Sequence, residues 1–267
     1  MGVVNVTPDS FSDGGRFLAP QAAIDLALRL AADGADLIDI GGESTRPYSQ
    51  PVLPDEQARR VLPVIEDLVG RVGVPISIDT SSAVVAREAL AAGAEIVNDV
   101  TALAGDEDML EVVLRSRCGV CLMHMQGTPA TMQDNPQYGD VVAEVLDYLR
   151  CRRDALLAAG VPHDSIALDP GIGFGKTHQH NLTLLASAYR LHELGCPVLV
   201  GHSRKGFIAK VLADKEVDRT AGSIGVSLSL AAQGVQVIRV HDVAAVRQAV
   251  LLFEATGGID GRAAVVE

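Results

Sequence analysis

Acceptor-bearing side chains follow short apolar runs at three places in the chain. Asp79 lies in ISIDT, Asn98 lies in EIVND and Asp169 lies in IALDP. A buried carboxylate needs a hydrogen-bonding partner, and three such groups at one mouth could bind a ring that carries several N–H donors. The alternative is that each side chain only hydrogen-bonds a neighbouring loop.

Cationic and hydroxyl side chains form a second set. The loop GGESTRP places Thr45 and Arg46 after two glycines, which let the backbone approach a ligand closely. A planar guanidinium fork beside a hydroxyl indicates a phosphate site. The loop is not a Walker loop, because no Gly-Lys-Ser/Thr follows at the right spacing, and GFGK at 173–176 fails the same test.

Two segments late in the chain extend this second set. Ser203 and Lys205 lie in HSRK, whereas Arg239 and His241 lie in IRVH. Alternation along a strand would direct Arg239 and His241 to the same side. If these segments end the last two strands of a parallel barrel, they lie where such barrels frequently bind phosphate.

A third candidate is the loop NVTPDSFSDGG at 5–15. It is dense in small polar residues and contains a single aromatic residue, Phe11. Such a segment is typical of a mobile lid over a binding site. The alternative is a solvated loop whose residues serve turn formation.

Eight short apolar runs must position these side chains, with Ala- and Leu-rich stretches between them. The runs are VVNV, LIDI, ISIDT, EIVND, CLMHM, IALDP, PVLVGHS and QVIRVH. The predicted helices are 20–33, 55–70, 82–92, 106–116, 140–159, 179–195, 205–213 with 220–233, and 242–255. Eight strand-then-helix units predict an α/β fold, a single (β/α)8 TIM barrel whose active site lies at the C-terminal ends of the strands.

Chain length predicts one domain. The chain has 267 residues, and a (β/α)8 barrel needs about 250. We therefore predict a barrel over 1–256 and a C-terminal tail over 257–267. The apolar content of 48% suffices for a large core, which must be aliphatic because aromatic residues make up only 3%.

Charge and hydropathy exclude two classes of partner. The formal charge of −12 without a basic stripe argues against nucleic acid, although an anionic small substrate could still bind a local basic pocket. No apolar run reaches the roughly 18 residues of a membrane span, so we expect no membrane partner.

The cysteines and loop histidines give weak metal or redox signals. Cys118 and Cys121 have C-x-x-C spacing, but the pair enters a predicted strand and lacks a second close ligand pair. We expect buried strand cysteines in a reduced, cytoplasmic protein. His178 and His180 are interpreted as loop histidines rather than metal ligands.

The motifs taken together resemble the dihydropteroate synthase family. They are NVTPDSFSDGG, DIGGESTRP, SIDTS, IVNDV, CLMHMQG, LDPGIGFGKTHQHN, VGHSRK and IRVHDV, in order and across essentially the whole chain. The resemblance implies a transferase that joins p-aminobenzoate to 6-hydroxymethyl-7,8-dihydropterin diphosphate in folate biosynthesis, releasing pyrophosphate. It also implies Mg2+ as cofactor, sulfonamides as competitors and a homodimer.

The resemblance implies a role for each candidate residue. Asn5 would bind Mg2+, and the phosphate-binding residues would be Thr45, Arg46, Arg239 and His241. The pterin ring would be bound by Asp79, Asn98, Asp169 and Lys205, with Met123 and Phe174 packed near its faces. The p-aminobenzoate slot would be formed by Phe11, Pro47 and Ser203. The catalytic residues would be Arg46, Asp79 and Lys205.

Two departures from the family pattern have local consequences. Tyr48 and Ser49 follow Thr-Arg-Pro where small residues are common, which could change loop closure or affinity for p-aminobenzoate and sulfonamides. His202 precedes Ser-Arg-Lys where an uncharged residue is more usual. It either faces the slot and adds pH dependence or satisfies a loop carbonyl, and we favour the second interpretation.

Two other functions compete with the synthase. A methyltransferase acting on methyltetrahydrofolate would share the Asp, Asn, Asp set but would not need the diphosphate loops at 5–15 and 41–47. A non-catalytic paralogue would bind pterin without condensing it. The presence of the phosphate-binding residues argues against both.

Overall fold

Eight short parallel strands form the centre of the protein. The computed structural model describes residues 1–7 and 18–262. The strands are β1 (Gly2–Asn5), β2 (Ile38–Gly41), β3 (Ile76–Asp79), β4 (Ile96–Asp99), β5 (Gly119–Met123), β6 (Ile166–Asp169), β7 (Leu199–Gly201) and β8 (Val237–Arg239). Strands β1 to β6 pair in chain order, and β7 pairs with β8, all in parallel.

Two bridges close the strands into a barrel. Leu168 of β6 pairs with Val198, and Gly2 of β1 pairs with Val240 just after β8. The Val3 N–H donates to the Val240 carbonyl at 3.1 Å. The predicted TIM barrel is therefore confirmed, and all eight strand C-termini meet at one mouth.

Helices follow the strands on the outside. They are α1 (Leu18–Ala32), α2 (Pro54–Leu68), α3 (Ala83–Ala91), α4 (Met109–Ser116), α5 (Val141–Ala159), α6 (His178–Ala186), α7 (Gly206–Val211), α8 (Thr220–Ala232) and α9 (Val243–Ala255). The core between helices and strands is aliphatic, with Ile38, Ile40, Ile78 and Leu168 fully buried. These side chains alternate with polar ones that point into the barrel.

One helix is shorter than predicted. The sequence indicated a single helix over 179–195, but α6 ends at Ala186 and a 3₁₀ segment covers Ala188–Leu194. Gln233, just after α8, reaches the break. Its side chain donates to the Leu185 carbonyl at 2.9 Å and accepts from the Tyr189 N–H at 3.2 Å. A long-range contact thus satisfies the backbone groups that an unbroken helix would pair internally.

The cysteine prediction is confirmed. Cys118, just before β5, and Cys121, within it, are buried as free thiols. Burial raises the pKa of the Cys121 thiol, so it stays protonated and packs as a small apolar residue. None of the helices in the described part of the chain is long and apolar enough to cross a membrane.

Candidate active site

A cavity of about 800 Å³ opens at the C-terminal ends of the strands. Most of the predicted site residues line its wall. They are Asn5, Thr45, Arg46, Pro47, Asp79, Phe174, Ser203, Lys205, Arg239 and His241. Residues from β1, β3, β8 and four strand-to-helix loops therefore line one cavity. The first and last of them, Asn5 and His241, are more than 230 positions apart in the chain.

The remaining predicted residues do not line this cavity. Asn98, Met123 and Asp169 are buried beneath it, with exposed fractions of 6% or less. Each ends β4, β5 or β6, or lies next to that end, as the sequence predicted. Phe11 lies outside the described residues.

Arg239 joins the two halves of the site. Its Nε donates to Asp39 Oδ2 at 2.6 Å, and its Nη2 donates to Asp79 Oδ2 at 2.9 Å. Burial alone would lower the pKa of Arg239, but the two carboxylates outweigh burial and raise it. The guanidinium therefore stays charged, and its other N–H groups can still donate to an anion in the cavity.

Asp39 was missed as a site residue, although it lies next to the end of the run LIDI. It is fully buried, and its Oδ2 also accepts from Asn98 Nδ2 at 3.2 Å. Its Oδ1 has no hydrogen-bond partner among the described residues. The signal available in the sequence was the strand-end position, because inward-pointing residues of neighbouring strands meet in one layer.

Asp79 has an unusually high pKa for a carboxyl group. Burial, together with the nearby Asp39 and against the opposing effect of Arg239, raises its pKa to about 7. A carboxyl group with a pKa near neutrality is poised to accept from a ring N–H donor as an anion or to share a proton with it. This property separates Asp79 from the surface carboxylates.

Lys205 lies between a carbonyl and an aromatic face. Its ammonium donates to the Ile172 carbonyl and lies 4.7 Å from the centroid of the Phe174 ring. Burial lowers the pKa of Lys205 to about 8, although Asp169 opposes this. Asp169 in turn accepts from the Gly171 N–H at 2.7 Å. The Lys205 ammonium after β7 and the Asp169 carboxylate at the end of β6 therefore lie close enough to interact electrostatically.

Ser203 and His241 form a direct contact between the β7 and β8 loops. The Ser203 hydroxyl lies 3.1 Å from His241 Nδ1 and accepts from the His241 N–H at 3.3 Å. Burial, helped by Arg239 and Arg204, lowers the pKa of His241 to about 4. The imidazole is therefore neutral at pH 7, and as a hydrogen-bond donor it can bind a phosphate oxygen without adding charge.

The second loop presents Arg46 to the cavity. No carboxylate in the described residues pairs with this exposed side chain, so its guanidinium is available to an anion. Two residues on, the Tyr48 N–H donates to the Pro129 carbonyl at 3.0 Å, with Tyr48 at a φ of 63°. The β2 loop is therefore hydrogen-bonded to the β5 loop. The residue that makes this contact, Tyr48, has a left-handed backbone conformation, which is uncommon for residues other than glycine.

His202 points away from the cavity. It is fully buried, and its Nε2 lies 2.9 Å from the Ser223 carbonyl and 3.1 Å from Ser227 Oγ, both in α8. Burial lowers its pKa to about 4. This residue ties β7 to a helix, in line with the interpretation that it satisfies a carbonyl.

His178 and His180 lie in the first turn of α6 and not in a loop as predicted, and they have different surroundings. His180 completes a capping box at the start of α6, where its N–H donates to Thr177 Oγ1 at 3.1 Å and its Nδ1 accepts from the Thr177 N–H at 3.3 Å. His178 lines the cavity instead. Among the described residues no group of three or more His, Cys, Asp or Glu side chains could hold a metal.

The donor set at the mouth nevertheless fits one kind of metal binding. Asn5 offers an amide oxygen to the cavity, and a methyl group on Gly41 would lie 3.7 Å from that oxygen. The missing side chain at Gly41 keeps the space between Asn5 and Asp79 open. Mg2+ commonly uses one or two protein oxygens together with waters and substrate phosphates. These residues fit an ion delivered with a diphosphate.

Comparisons with known proteins agree with this geometry. A family model for pterin binding enzymes matches residues 1–241. The dihydropteroate synthase of Neisseria meningitidis serogroup C is 47% identical over 262 residues, which cover 96% of this chain and 92% of that protein.

Two solved structures share the fold at comparable identity. Xanthomonas albilineans dihydropteroate synthase with 4-aminobenzoic acid has a TM-score of 0.90 and 48% identity, covering 96% of this chain and 92% of that one. Yersinia pestis dihydropteroate synthase in a sulfonamide drug complex has a TM-score of 0.90 and 43% identity, covering 97% and 94%. With a barrel, a site and relatives that agree over nearly the whole chain, this protein belongs to the dihydropteroate synthase family, the pterin-binding transferases of folate biosynthesis.

Proposed function

We propose that this protein condenses 6-hydroxymethyl-7,8-dihydropterin diphosphate with p-aminobenzoate to give 7,8-dihydropteroate and pyrophosphate. The observation that carries the proposal is the Arg239 side chain, which hydrogen-bonds Asp39 and Asp79 while lining a cavity shared with Arg46 and His241. The Arg239 guanidinium thus contacts a carboxylate proposed to bind the ring, that of Asp79, and lies in the same cavity as the side chains proposed to bind phosphate.

The pterin ring would occupy the deep end of the site. Asp79, Asn98 and Asp169 supply acceptors for the N–H groups of an amino-pyrimidine edge. Met123 and Phe174 supply apolar surface for its faces, and Lys205 supplies a donor for its carbonyl oxygen. Asn98 and Asp169 are each 6% exposed beneath the cavity, so a ring bound at the deep end would bring its N–H groups towards them.

The diphosphate would lie towards the mouth. Thr45, Arg46, Arg239 and His241 would donate to its oxygens, and Asn5 would bind the accompanying Mg2+. The ion, when bound, would neutralise charge on the departing pyrophosphate. Arg46 and Arg239 would stabilise the same charge through hydrogen bonds that strengthen as it develops.

The chemistry then divides into bond breaking and bond forming. The bond between the pterin methylene and the diphosphate oxygen breaks, the electron pair leaves with pyrophosphate, and the cation is spread over the ring. The Asp79 carboxylate stabilises that cation electrostatically. The aniline nitrogen of p-aminobenzoate adds to the methylene and loses one proton. No covalent enzyme intermediate is needed.

The p-aminobenzoate slot would lie between the β2 and β7 loops. Pro47 and Ser203 line the cavity there, and Phe11 would complete the slot. The structures of relatives with 4-aminobenzoic acid and with a sulfonamide drug support a slot for both molecules. Sulfonamides would therefore compete with p-aminobenzoate.

Two wider expectations accompany the proposal. The resemblance predicts a homodimer, which light scattering on the purified protein would test. A cytoplasmic location also stays a prediction, in keeping with four free cysteines.

Ligand binding distinguishes the synthase from a methyltetrahydrofolate methyltransferase. Calorimetry should show that the protein binds the pterin diphosphate in the presence of Mg2+, and that Arg239→Met weakens this binding at least tenfold. Methyltetrahydrofolate should bind far more weakly, because nothing in it replaces the diphosphate. Tighter binding of methyltetrahydrofolate than of the pterin diphosphate would overturn the proposal.

A further inference from the structure

The segment Gly171–Lys176, with the sequence GIGFGK, is hydrogen-bonded at every carbonyl from 171 to 175, although Phe174 is its only member in the predicted site. The donors are the Phe174 N–H for Gly171, Lys205 for Ile172, Gln133 for Gly173, Lys176 for Phe174 and Tyr138 for Gly175. Two of these donors are lysines that approach the segment separately. Lys205 comes from the loop after β7, and Lys176 is the last residue of the segment itself.

Lys176 is buried to an unusual degree for a lysine. Lys176 is only 2% exposed. Its Nζ lies within hydrogen-bonding distance of three acceptors, which are His124 Nδ1 at 2.9 Å, the His124 carbonyl at 3.2 Å and the Phe174 carbonyl at 2.9 Å. A lysine ammonium has three N–H donors, so each of them has an acceptor here. Lys176 therefore ties the end of β5 to the β6 loop.

The charges around Lys176 suit this arrangement. Burial, helped by Lys176, lowers the pKa of His124 to about 3, so the imidazole is neutral and its Nδ1 can accept. Burial also lowers the pKa of Lys176 to about 7, although Asp169 opposes this. In either protonation state, the Lys176 amine can donate to both carbonyls.

The backbone beside Lys176 has no free space. A methyl group on Gly171 would lie 1.9 Å from the His124 carbonyl oxygen and 3.3 Å from Lys176 Nζ, and Gly171 has a φ of 69°. The β6 loop thus lies directly against the end of β5. A shift of this loop would move Ile172 and Phe174, which are the two groups that Lys205 contacts.

We propose that Lys176 is a positioning residue for Lys205: by fixing the segment Gly171–Lys176 against β5, it sets where the Lys205 ammonium lies. The two lysines donate to different carbonyls of one short stretch of backbone, Lys176 to Phe174 and Lys205 to Ile172. The inference rests on the proposed function only in assigning Lys205 to the pterin. The position of Lys205 itself can be measured without any substrate.

The chain offers a convenient internal standard for that measurement. It contains four lysines, and Lys210 and Lys215 are exposed whereas Lys176 is buried and Lys205 is half-buried. Acetylation rates of the individual lysines are followed by peptide mass spectrometry at several pH values, so that the shielding of each amine is separated from its pKa. Lys205 and Lys176 should react slowly in the native protein, and Lys215 should react fast.

The test compares Lys176→Met with the matched control Lys210→Met. In Lys176→Met we expect the acetylation rate of Lys205, divided by that of Lys215, to rise at least fivefold at a temperature well below the melting transition. The control should leave this ratio within twofold of the native value. If the methionine variant does not fold, Lys176→Gln is measured against the same criterion.

Turnover gives the second readout. The value of kcat/KM for the pterin substrate should fall at least tenfold in Lys176→Met, while KM for p-aminobenzoate changes less than threefold. An unchanged Lys205 ratio in a folded Lys176 variant would overturn the positioning role. A raised ratio in a protein that makes no dihydropteroate would support the positioning role and count against the proposed function instead.

Discussion

The Arg239 guanidinium lies 2.6 Å from Asp39, measured from Nε to Oδ2, although the two residues are 200 positions apart in the chain. Asp39 also accepts from Asn98. One buried carboxylate thus orients a phosphate-site cation and a ring-site amide. The site is therefore built around a group that would contact neither part of the substrate directly.

Asp39→Asn should separate these roles. The amide leaves Arg239 with only the Asp79 carboxylate and weakens the acceptor for Asn98, so both side chains can shift. We expect affinity for the pterin diphosphate to fall at least tenfold, about 1.4 kcal/mol. Calorimetry measures the loss. Asp36→Asn, at an exposed position just before β2, should bind like the native protein, and equal affinity in both variants would contradict the account.

Arg46→Ala should reduce turnover. The Arg46 side chain is exposed to the cavity and has no carboxylate partner among the described residues, so it is available for the leaving pyrophosphate. We expect kcat/KM to fall at least tenfold, about 1.4 kcal/mol in transition-state stabilisation. Steady-state kinetics measure this value. Near-normal kinetics would remove Arg46 from the phosphate site.

His202 should make the fold sensitive to acid. Its pKa is lowered from 6.5 to about 4 in the folded protein, so the unfolded chain binds the proton first as pH falls. Stability is therefore fully present above pH 6.5 and is lost as pH falls towards 4. A shift of this size is worth up to about 2 kcal/mol at pH 5.

The variant His202→Gln tests this contribution. Its amide can still donate to the Ser223 carbonyl but cannot titrate. Urea unfolding at pH 7.5 and pH 5 should show a smaller loss of unfolding free energy in His202→Gln than in the native protein. An equal loss in both proteins would assign the acid sensitivity to other groups, such as His124 and His241.

Gly171→Ala should disrupt the β6 loop. The added methyl group would collide with the His124 carbonyl, and the positive φ adds strain. We expect a loss of more than about 2 kcal/mol in unfolding free energy, or failure to fold. Gly225→Ala is the matched control, because nothing lies within 4 Å of the added group in α8. Helix propensity should make that variant up to about 1 kcal/mol more stable.

Much of the fold could be predicted because each strand-and-helix unit carries two local signals in its sequence. A short apolar run ends in a polar residue, and a helix-like stretch begins after the following loop. That pattern located β3, β4 and β6 together with Asp79, Asn98 and Asp169 at or next to their ends. Parallel barrels place such ends at one mouth, so clustering followed from topology alone.

The failures arise where a distant contact decides the local structure. The helix break after Ala186 coincides with the hydrogen bonds of Gln233, and the pattern of apolar residues in 179–195 contains no sign of that distant contact. Asp39 and Lys176 were missed for a similar reason. Asp39 acts through Arg239 and Lys176 acts through its own loop. The position of Asp39 near a strand end was visible in the sequence, but neither spacing nor residue type reveals these contacts.

The most direct test of the central claim is product formation from both substrates. Purified protein is mixed with 6-hydroxymethyl-7,8-dihydropterin diphosphate, p-aminobenzoate and Mg2+, and dihydropteroate and pyrophosphate are followed by mass and by a coupled assay. We predict equal amounts of both products, with neither formed when either substrate or Mg2+ is omitted. No dihydropteroate from a folded protein that binds the pterin diphosphate would contradict the account and indicate a non-catalytic pterin-binding protein.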